Sequence, residues 1–224
     1  MLSAFIIEEF LSVDTYIKDL IREGEHQQLD FKFEISDSRK IARSLVAFAN
    51  TDGGKLLVGV KDNGVVAGVR SEEEYFMVEG AASMYCRPEV SFSTREWNID
   101  GKLVLEVRVE KSDQRPHMAP DKEGKWKVFV RVKDQNLVAG KMLLQLWKHQ
   151  KNKTEVNIRY REQEEILMHF LTENGRITIS QFCRIAGIPA FMAEKILLNF
   201  ILLDIIQMVI TEKQTYYRLI DNKV

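Results

Sequence analysis

The stretch of sequence that decides the fold runs from Glu25 to Gly68 and reads EHQQLDFKFEISDSRKIARSLVAFANTDGGKLLVGVKDNGVVAG. Apolar and polar residues alternate over residues 29–33, which is the period of a half-buried strand. Asp37 or Ser38 can then cap a helix, because a short oxygen-bearing side chain accepts hydrogen bonds from the free amides of a first turn. Apolar residues follow at helical spacing as far as Phe48. We therefore predict a strand followed by an amphipathic helix.

The second half of this stretch predicts a return strand and a tight turn. Gly53 and Gly54 end the helix, because glycine adopts the left-handed closing conformation without strain. Residues 56–60 are apolar on both faces, as a buried strand is. Asp62-Asn63-Gly64 favours a tight hairpin, since Asn-Gly suits the two positions with positive φ.

Four motifs of this sequence together resemble the Schlafen-type AlbA domain. They are Glu25, four intervening residues and Asp30-Phe31-Lys32, then Ala47 to Gly54, Gly59 to Gly64, and the later Phe129-Val130-Arg131-Val132. The resemblance covers about residues 14–147 and implies an α+β fold, in which a mixed sheet carries flanking helices. One position departs from the family pattern, because Asp30 stands where the family has Glu.

The whole chain has the composition of an ordinary globular protein, with 45% hydrophobic and 29% charged residues among 224. Its two cysteines, Cys86 and Cys183, are too few for a disulfide framework or a zinc cluster. The most apolar stretch, residues 188–210, is interrupted by charges, and the N-terminus lacks the basic start of a signal peptide. We expect a cytoplasmic protein with no membrane span.

The order of signals along the chain predicts two domains. Residues 1–150 form the AlbA-like domain with an N-terminal arm at 1–12, residues 151–157 form a linker, and residues 158–224 form a smaller domain. In the smaller domain three helical stretches precede two alternating strands joined by a short turn. This order resembles a winged helix.

Basic residues are concentrated in the middle of a nearly neutral chain. The net charge is −1, yet residues 102–153 hold thirteen basic and six acidic residues. Such a region is the electrostatic footprint of phosphate binding, although a solvated lysine surface would look the same. The predicted nucleic-acid contacts are Lys32, Arg39, Lys40, Arg43, Lys122, Lys125, Lys127, Arg131 and Lys133. Trp97 and Trp126 could stack on bases or pack in the core.

Three acidic residues carry an alternative, enzymatic hypothesis. Some Schlafen proteins are metal-dependent ribonucleases, and the resemblance implies that their three acidic positions fall on Glu25, Asp30 and Asp62. Converging carboxylates would hold Mg²⁺ or Mn²⁺, which polarises a phosphodiester and its attacking water. The structural alternative is a helix end, a strand residue and the first residue of a turn. No phosphate-binding GxxxxGK[ST] loop is present, and no cofactor is expected unless the nuclease hypothesis holds.

The last predicted helix carries more apolar residues than one face can bury. Phe191, Leu198 and Leu202 remain after a core face is assigned, and surplus apolar side chains are typical of a protein interface. We therefore expect a homodimer through these three residues. The function that we favour is nucleic-acid binding, to DNA rather than RNA, in transcriptional regulation. The alternatives are the ribonuclease and a non-catalytic protein-interaction module.

Overall fold

The computed structural model describes residues 15–69, 73–152 and 161–220. The predicted arm at 1–12 and residues 153–157 of the predicted linker lie outside these ranges. The chain divides into two compact units between Ala139 and Gly140.

The N-terminal unit is an α+β fold, as predicted. Its elements, in chain order, are α1 (15–23), β1 (Leu29–Lys32), α2 (Ser38–Asn50), β2 (Gly54–Val58), α3 (Glu73–Met84), β3 (Ser93–Ile99), β4 (Lys102–Val109), β5 (Met118–Pro120), β6 (Trp126–Val132) and β7 (Gln135–Val138). The first sheet has the strand order β1-β2-β4-β3 and is mixed, because β1 is parallel to β2 while the other pairs are antiparallel. The second sheet is the antiparallel meander β5-β6-β7.

Helix α2 is the centre of the N-terminal unit. It begins as predicted, with Asp37 accepting a hydrogen bond from the amide of Arg39. Its residues from Ser44 to Asn50 are all buried, and they pack in one apolar cluster with α3, with one face of the first sheet and with Phe129 of the second sheet. The helix is thereby covered on more sides than an amphipathic surface helix would be.

The other face of the first sheet is covered by α1. Ile17 and Leu20 pack there against Phe31 and Leu57. Residues on one strand alternate between the two faces. Phe31 therefore lies under α1, whereas the intervening Asp30 and Lys32 lie on the α2 side.

The predicted turn after β2 is present. The amide of Gly64 donates to the carbonyl of Lys61 at 2.8 Å, and Val60 pairs with Val66. Gly59 has φ +93°, and a Cβ there would lie 2.9 Å from the backbone of Gly68. Glycine is required at this position because it allows both the positive φ and the close approach of the two chain segments.

The C-terminal unit contains α4 (Lys141–Asn152), α5 (Glu162–Asn174), α6 (Ile179–Ala186), α7 (Ala190–Leu202), β8 (Ile206–Ile210) and β9 (Thr215–Leu219). The hairpin β8–β9 is antiparallel, and Ile177 pairs with Tyr217 of β9. Helix α4 packs against α7, and Lys141 forms an ion pair with Glu194 at 2.8 Å. The sequence had placed α4 in the first domain, whereas in the structure it belongs to the C-terminal unit. No single helix within the described ranges is long and apolar enough to cross a membrane, and α6 and α7 reach that length only as a pair bent by 112°.

Candidate nucleic-acid interface

Asp30 is the centre of a buried polar cluster between β1, α2 and β6. Its Oδ1 lies 3.2 Å from Nη2 of Arg131, and its Oδ2 lies 2.9 Å from Nζ of Lys32. The hydroxyl of Ser44 on α2 donates to the same Oδ2 at 3.2 Å. Asp30 is only 3% exposed, so both of its oxygens are held by protein groups in a place that solvent scarcely reaches.

Arg131 is a buried structural residue, and its prediction as a phosphate contact is wrong. Its side chain is 1% exposed. Besides Asp30, its guanidinium donates to the carbonyl of Leu29 at 3.1 Å and to Oδ1 of Asn136 at 3.1 Å. It also lies over the ring of Phe48, 5.3 Å from the centroid. A guanidinium engaged on all sides cannot also hold a phosphate.

Glu25 lies beside Asp30. Its Oε1 accepts a hydrogen bond from the amide of Phe31 at 2.8 Å. Burial raises the pKa of Glu25, and so does its hydrogen bond to Asp30. Burial also acts to raise the pKa of Asp30, but Lys32, the hydrogen bond from Glu25 and Arg131 outweigh it and lower that pKa. The two shifts have opposite directions, so Asp30 loses its proton at a lower pH than Glu25 does.

The predicted acidic trio does not form a metal site. Asp62 is exposed in the turn after β2. Across the ranges that the structure describes, no three His, Cys, Asp or Glu side chains come together in a way that could hold a metal ion. The oxygens of Asp30 are taken by two cations and a hydroxyl. The residues present do not fit the divalent cation that the nuclease hypothesis requires.

The predicted basic residues fall into separate groups. Lys32 contacts Asp30 directly, and Lys133 lies nearby, because its amide donates to Oε1 of Gln27 at 2.8 Å and Gln27 donates to the carbonyl of Arg131 at 2.9 Å. Lys122, Lys125 and Lys127 are exposed around the β5–β6 turn at the opposite end of β6. Lys127 and Lys133 are six positions apart, which corresponds to about 20 Å along an extended strand. The basic region of the sequence is thus not one continuous patch.

An aromatic and basic cluster forms at the β5–β6 end, and we call it the Arg87 cluster. The guanidinium of Arg87 lies 3.9 Å from the centroid of the half-exposed ring of Trp126. The backbone of Arg87 is fixed by two hydrogen bonds to Met118, of 2.9 and 2.7 Å. Tyr85 precedes Arg87 by two residues in the sequence, and Arg39 of α2 lies over its ring, 5.6 Å from the centroid. We use this name for Arg87 and Trp126 together with the residues around them, namely Arg39 over Tyr85 and the exposed Lys125 and Lys127, although Lys127 lies on the face of β6 opposite to Trp126.

A family model described as Schlafen, AlbA_2 matches residues 25–140, which is more than half of the chain. The chain belongs to this family. The match includes β1, α2 and β2, the Asp30 cluster and the Arg87 cluster, so the Schlafen AlbA_2 domain holds the whole candidate interface.

Two solved structures resemble parts of the chain. One is the DIP2311 protein from Corynebacterium diphtheriae, with 18% identity and a TM-score of 0.44 over 63% of this chain and 28% of that one. The other is the N-terminal domain of a putative ATP-dependent DNA helicase RecG-related protein from Nitrosomonas europaea, with 23% identity and a TM-score of 0.38 over 56% of this chain and 95% of that domain. The chain thus spans little more than a quarter of the Corynebacterium protein. Neither likeness is close enough to carry an argument about function.

Sequence reasoning missed Arg87 in the Schlafen AlbA_2 domain. It lies outside the basic region 102–153, just after α3, and 39 residues separate it from Trp126. The two become neighbours because Arg87 pairs with Met118 of β5, and β5 pairs with β6. Of the two tryptophans proposed to stack on bases, Trp126 is half-exposed, whereas Trp97 is buried at 5% exposure.

The three apolar residues predicted for a dimer interface have different environments. Phe191 is 69% exposed and Leu202 is half-buried, but Leu198 is buried at 7% exposure. Leu198 lies one helical turn after Glu194, which contacts Lys141 of α4, so it shares the face of α7 that α4 covers. Its assignment to a dimer interface is wrong, because α4 belongs to the same unit.

Proposed function

We propose that this Schlafen AlbA_2 protein binds nucleic acid, and DNA in particular, as part of transcriptional regulation. The observation that carries this proposal is the Arg87 cluster, in which a guanidinium lies over a half-exposed indole among further exposed cations. Family membership supports a function related to nucleic acids. The free thiols of Cys86 and Cys183 suit a cytoplasmic location.

The chemistry of the Arg87 cluster matches the chemistry of nucleic acid. Lysine and arginine side chains neutralise phosphates and release counterions. An arginine stacked on tryptophan adds a planar cation, which binds a phosphate through two parallel hydrogen bonds or stacks against a base. Because the guanidinium of Arg87 already lies on the ring of Trp126, less side-chain conformational entropy is lost when it engages a ligand.

The C-terminal unit supports DNA over RNA and supports a dimer. The order α5, α6, α7 and β8–β9, with Ile177 paired to Tyr217, has the element order of a winged helix, a module that is common in DNA-binding proteins. Helix α7 offers mostly apolar side chains, so we assign it to assembly rather than to reading bases. Phe191 and its neighbour Met192, 69% and 37% exposed, are the residues that a second copy of the chain would cover.

The proposal is tested by removing the cluster from the full-length chain. Arg87, Lys125 and Lys127 are changed together to Ala, and binding to a labelled DNA duplex is followed by fluorescence anisotropy. We expect at least a tenfold loss of affinity, with the same loss for unrelated duplex sequences, because phosphate contacts carry no sequence information.

The control variant removes three exposed cations elsewhere in the same unit, namely Arg22, Lys61 and Lys111. It changes the net charge by the same amount, and we expect less than a threefold loss. Equal losses in the two variants would contradict a localised interface. A wild-type protein that binds neither DNA nor RNA would favour the protein-interaction module instead.

A further inference from the structure

A cleft in the N-terminal unit lies on the face of the first sheet that α1 covers, opposite to α2. Its volume is about 470 Å³, within the usual range for small-ligand sites. It is lined by Tyr16 of α1 and by residues of β3 and β4, namely Ser93, Thr94, Arg95, Trp97, Glu106 and Arg108. Strand β3 is the edge strand of the sheet, so the cleft is open at that side.

The floor of this cleft is a fixed polar chain. The carboxylate of Glu106 is 6% exposed and accepts two hydrogen bonds of 2.8 Å, one from the hydroxyl of Tyr16 and one from Nε1 of Trp97. The rings of Tyr16 and Trp97 lie with their centroids 5.0 Å apart. These contacts hold the indole of Trp97 in one orientation, with its polar edge toward Glu106.

Arg95 lies on top of this floor. Its guanidinium is 4.1 Å from the centroid of Trp97, and the residue is exposed. Arg95 is also the cross-strand partner of Glu106, which places a positive side chain directly beside the buried negative one. The guanidinium has the indole on one side and the open cleft on the other, so its outer face is available to a planar ligand.

The rim of the cleft is cationic. Arg108 lines it. Lys55, the register partner of Arg108 on β2, does not line the cleft itself but lies over the ring of Tyr16, which does, at 5.2 Å. Arg108 forms an exposed ion pair with Glu110. Such pairs contribute little free energy, so a phosphate can compete for the guanidinium. One nucleotide fits a cleft of this size, with its base stacked on the planar guanidinium of Arg95 and its phosphate on Arg108. Lys55 adds a third positive charge nearby.

We propose that this cleft binds one unpaired nucleotide of a DNA strand. The proposal rests on the nucleic-acid binding proposed above and specifies the form of the ligand. A base can stack on a guanidinium or an aromatic ring only when it is free of its own stack, and this is how single strands are held. In a duplex the bases are already paired and stacked, so a duplex can interact with this cleft only through its phosphates and the cationic side chains of the rim.

The test compares strands with duplexes for full-length variants at Arg95. Wild type, Arg95→Ala and Arg95→Lys are titrated into a labelled 12-nucleotide oligo(dT) and into a 12-base-pair duplex. Arg95→Ala should weaken binding to oligo(dT) about tenfold, the usual cost of losing one stacked base, and should weaken duplex binding less than threefold. Arg95→Lys keeps the positive charge but lacks the planar guanidinium. It should recover less than half of the lost affinity for oligo(dT), on a logarithmic scale.

Arg22→Ala is the matched control, because it removes an exposed arginine from α1 of the same unit. It should change both affinities less than threefold. Equal losses for strand and duplex in Arg95→Ala, full rescue by lysine, or an Arg95→Ala variant that behaves like Arg22→Ala would each overturn the proposal. If this proposal fails while the Arg87 cluster variant still loses DNA binding, the proposed function stands without it. Wild-type protein that binds neither probe would overturn both proposals.

Discussion

Arg131 shows how far the chemistry of a residue can differ from what its type suggests. It lies in a basic stretch of the sequence, yet its guanidinium binds Asp30, a backbone carbonyl and Asn136 in the interior. A buried arginine of this kind joins elements that are distant in sequence, here β6 to β1. Its role is therefore to hold the fold around the Asp30 cluster.

Replacing Arg131 with Met should destabilise the N-terminal unit by about 3–5 kcal/mol, because it leaves the carboxylate of Asp30 buried without this partner. Urea unfolding monitored by circular dichroism measures the loss. Lys127→Met on the same strand is the control and should change the free energy of unfolding by less than about 0.5 kcal/mol, as exposed positions do. An Arg131→Met protein as stable as wild type would show that Lys32 and Ser44 satisfy Asp30 without the guanidinium.

Glu25 and Asp30 make opposite contributions to stability as pH changes. The pKa of Glu25 is raised in the folded state, so its stabilising contribution is present below the unfolded pKa, near 4.5, and is lost as pH rises through the folded pKa. The pKa of Asp30 is lowered, so its contribution is present above the unfolded pKa, near 3.8, and is lost as pH falls through the folded pKa. Of these two residues, only Glu25 loses a stabilising contribution as pH rises above 4.5.

Glu25→Gln removes this titration and keeps both hydrogen bonds, because the glutamine amide can donate to Asp30 and its oxygen can accept from Phe31. The free energy of unfolding of the variant, relative to wild type, should therefore increase between pH 4 and pH 7. Urea unfolding at both pH values measures this difference. Glu79→Gln, at an exposed position on α3, should show no comparable increase. The hypothesis is wrong if the two variants respond alike.

At the scale of elements, the packing of α4 against α7 accounts for the boundary between the two units and is consistent with the burial of Leu198. Helix α4 carries four buried residues, Met142, Leu143, Leu146 and Trp147. Helix α7 buries Leu197, Leu198 and Phe200 in the same unit. An apolar face that the sequence leaves for a second copy of the chain is thus partly covered by a helix of the same chain.

Substitutions on α7 should separate core residues from surface residues. Leu198→Ala should cost about 2–5 kcal/mol in the stability of the C-terminal unit, as buried leucine truncations do. Phe191→Ser should leave the melting temperature within a few degrees of wild type. It should also shift the proposed dimer toward monomer in sedimentation experiments. A wild type that already sediments as a monomer at tens of micromolar would rule out the dimer, and a stable Leu198→Ala protein would contradict the packing described.

At the scale of the whole molecule, the positive charges lie in separate local clusters and do not form one continuous basic surface. The net charge is −1, so any attraction to nucleic acid must be local. The Arg87 cluster and the rim beside Arg95 are two such places, and they belong to the same unit. The proposed binding of nucleic acid by the Schlafen AlbA_2 domain therefore depends on local positive charge and not on the net charge of the protein.

If the attraction is local, the salt dependence of DNA binding can be predicted quantitatively. The logarithm of the affinity for duplex DNA should fall linearly with the logarithm of the salt concentration. Removing Arg87, Lys125 and Lys127 should reduce this slope by about 2–3, because each phosphate contact contributes about 0.9. Anisotropy titrations between 50 and 200 mM salt, roughly the range over which this effect is large, measure both slopes. Parallel lines for wild type and variant would mean that these three residues do not touch phosphates.

The sequence by itself determined the run from β1 through α2 and β2 to the turn at Gly64. Each of those signals is local. The alternation of β1, the cap at Asp37, the glycines after α2 and the Asn-Gly pair act within a few residues, so no distant partner is needed to interpret them. The family motif lies in the same run, and for that reason the family could be predicted.

Only the tertiary structure decided which polar and apolar side chains are exposed. Lys127, Phe129 and Arg131 alternate onto one face of β6, but α2 covers the last two and leaves the first at the open end of the strand. Arg87 and Trp126 meet because β5 pairs on both sides, and Leu198 is buried on α7, the helix that α4 packs against. A strand or helix period fixes the face on which a residue lies, whereas burial of that face depends on elements that arrive from elsewhere in the chain.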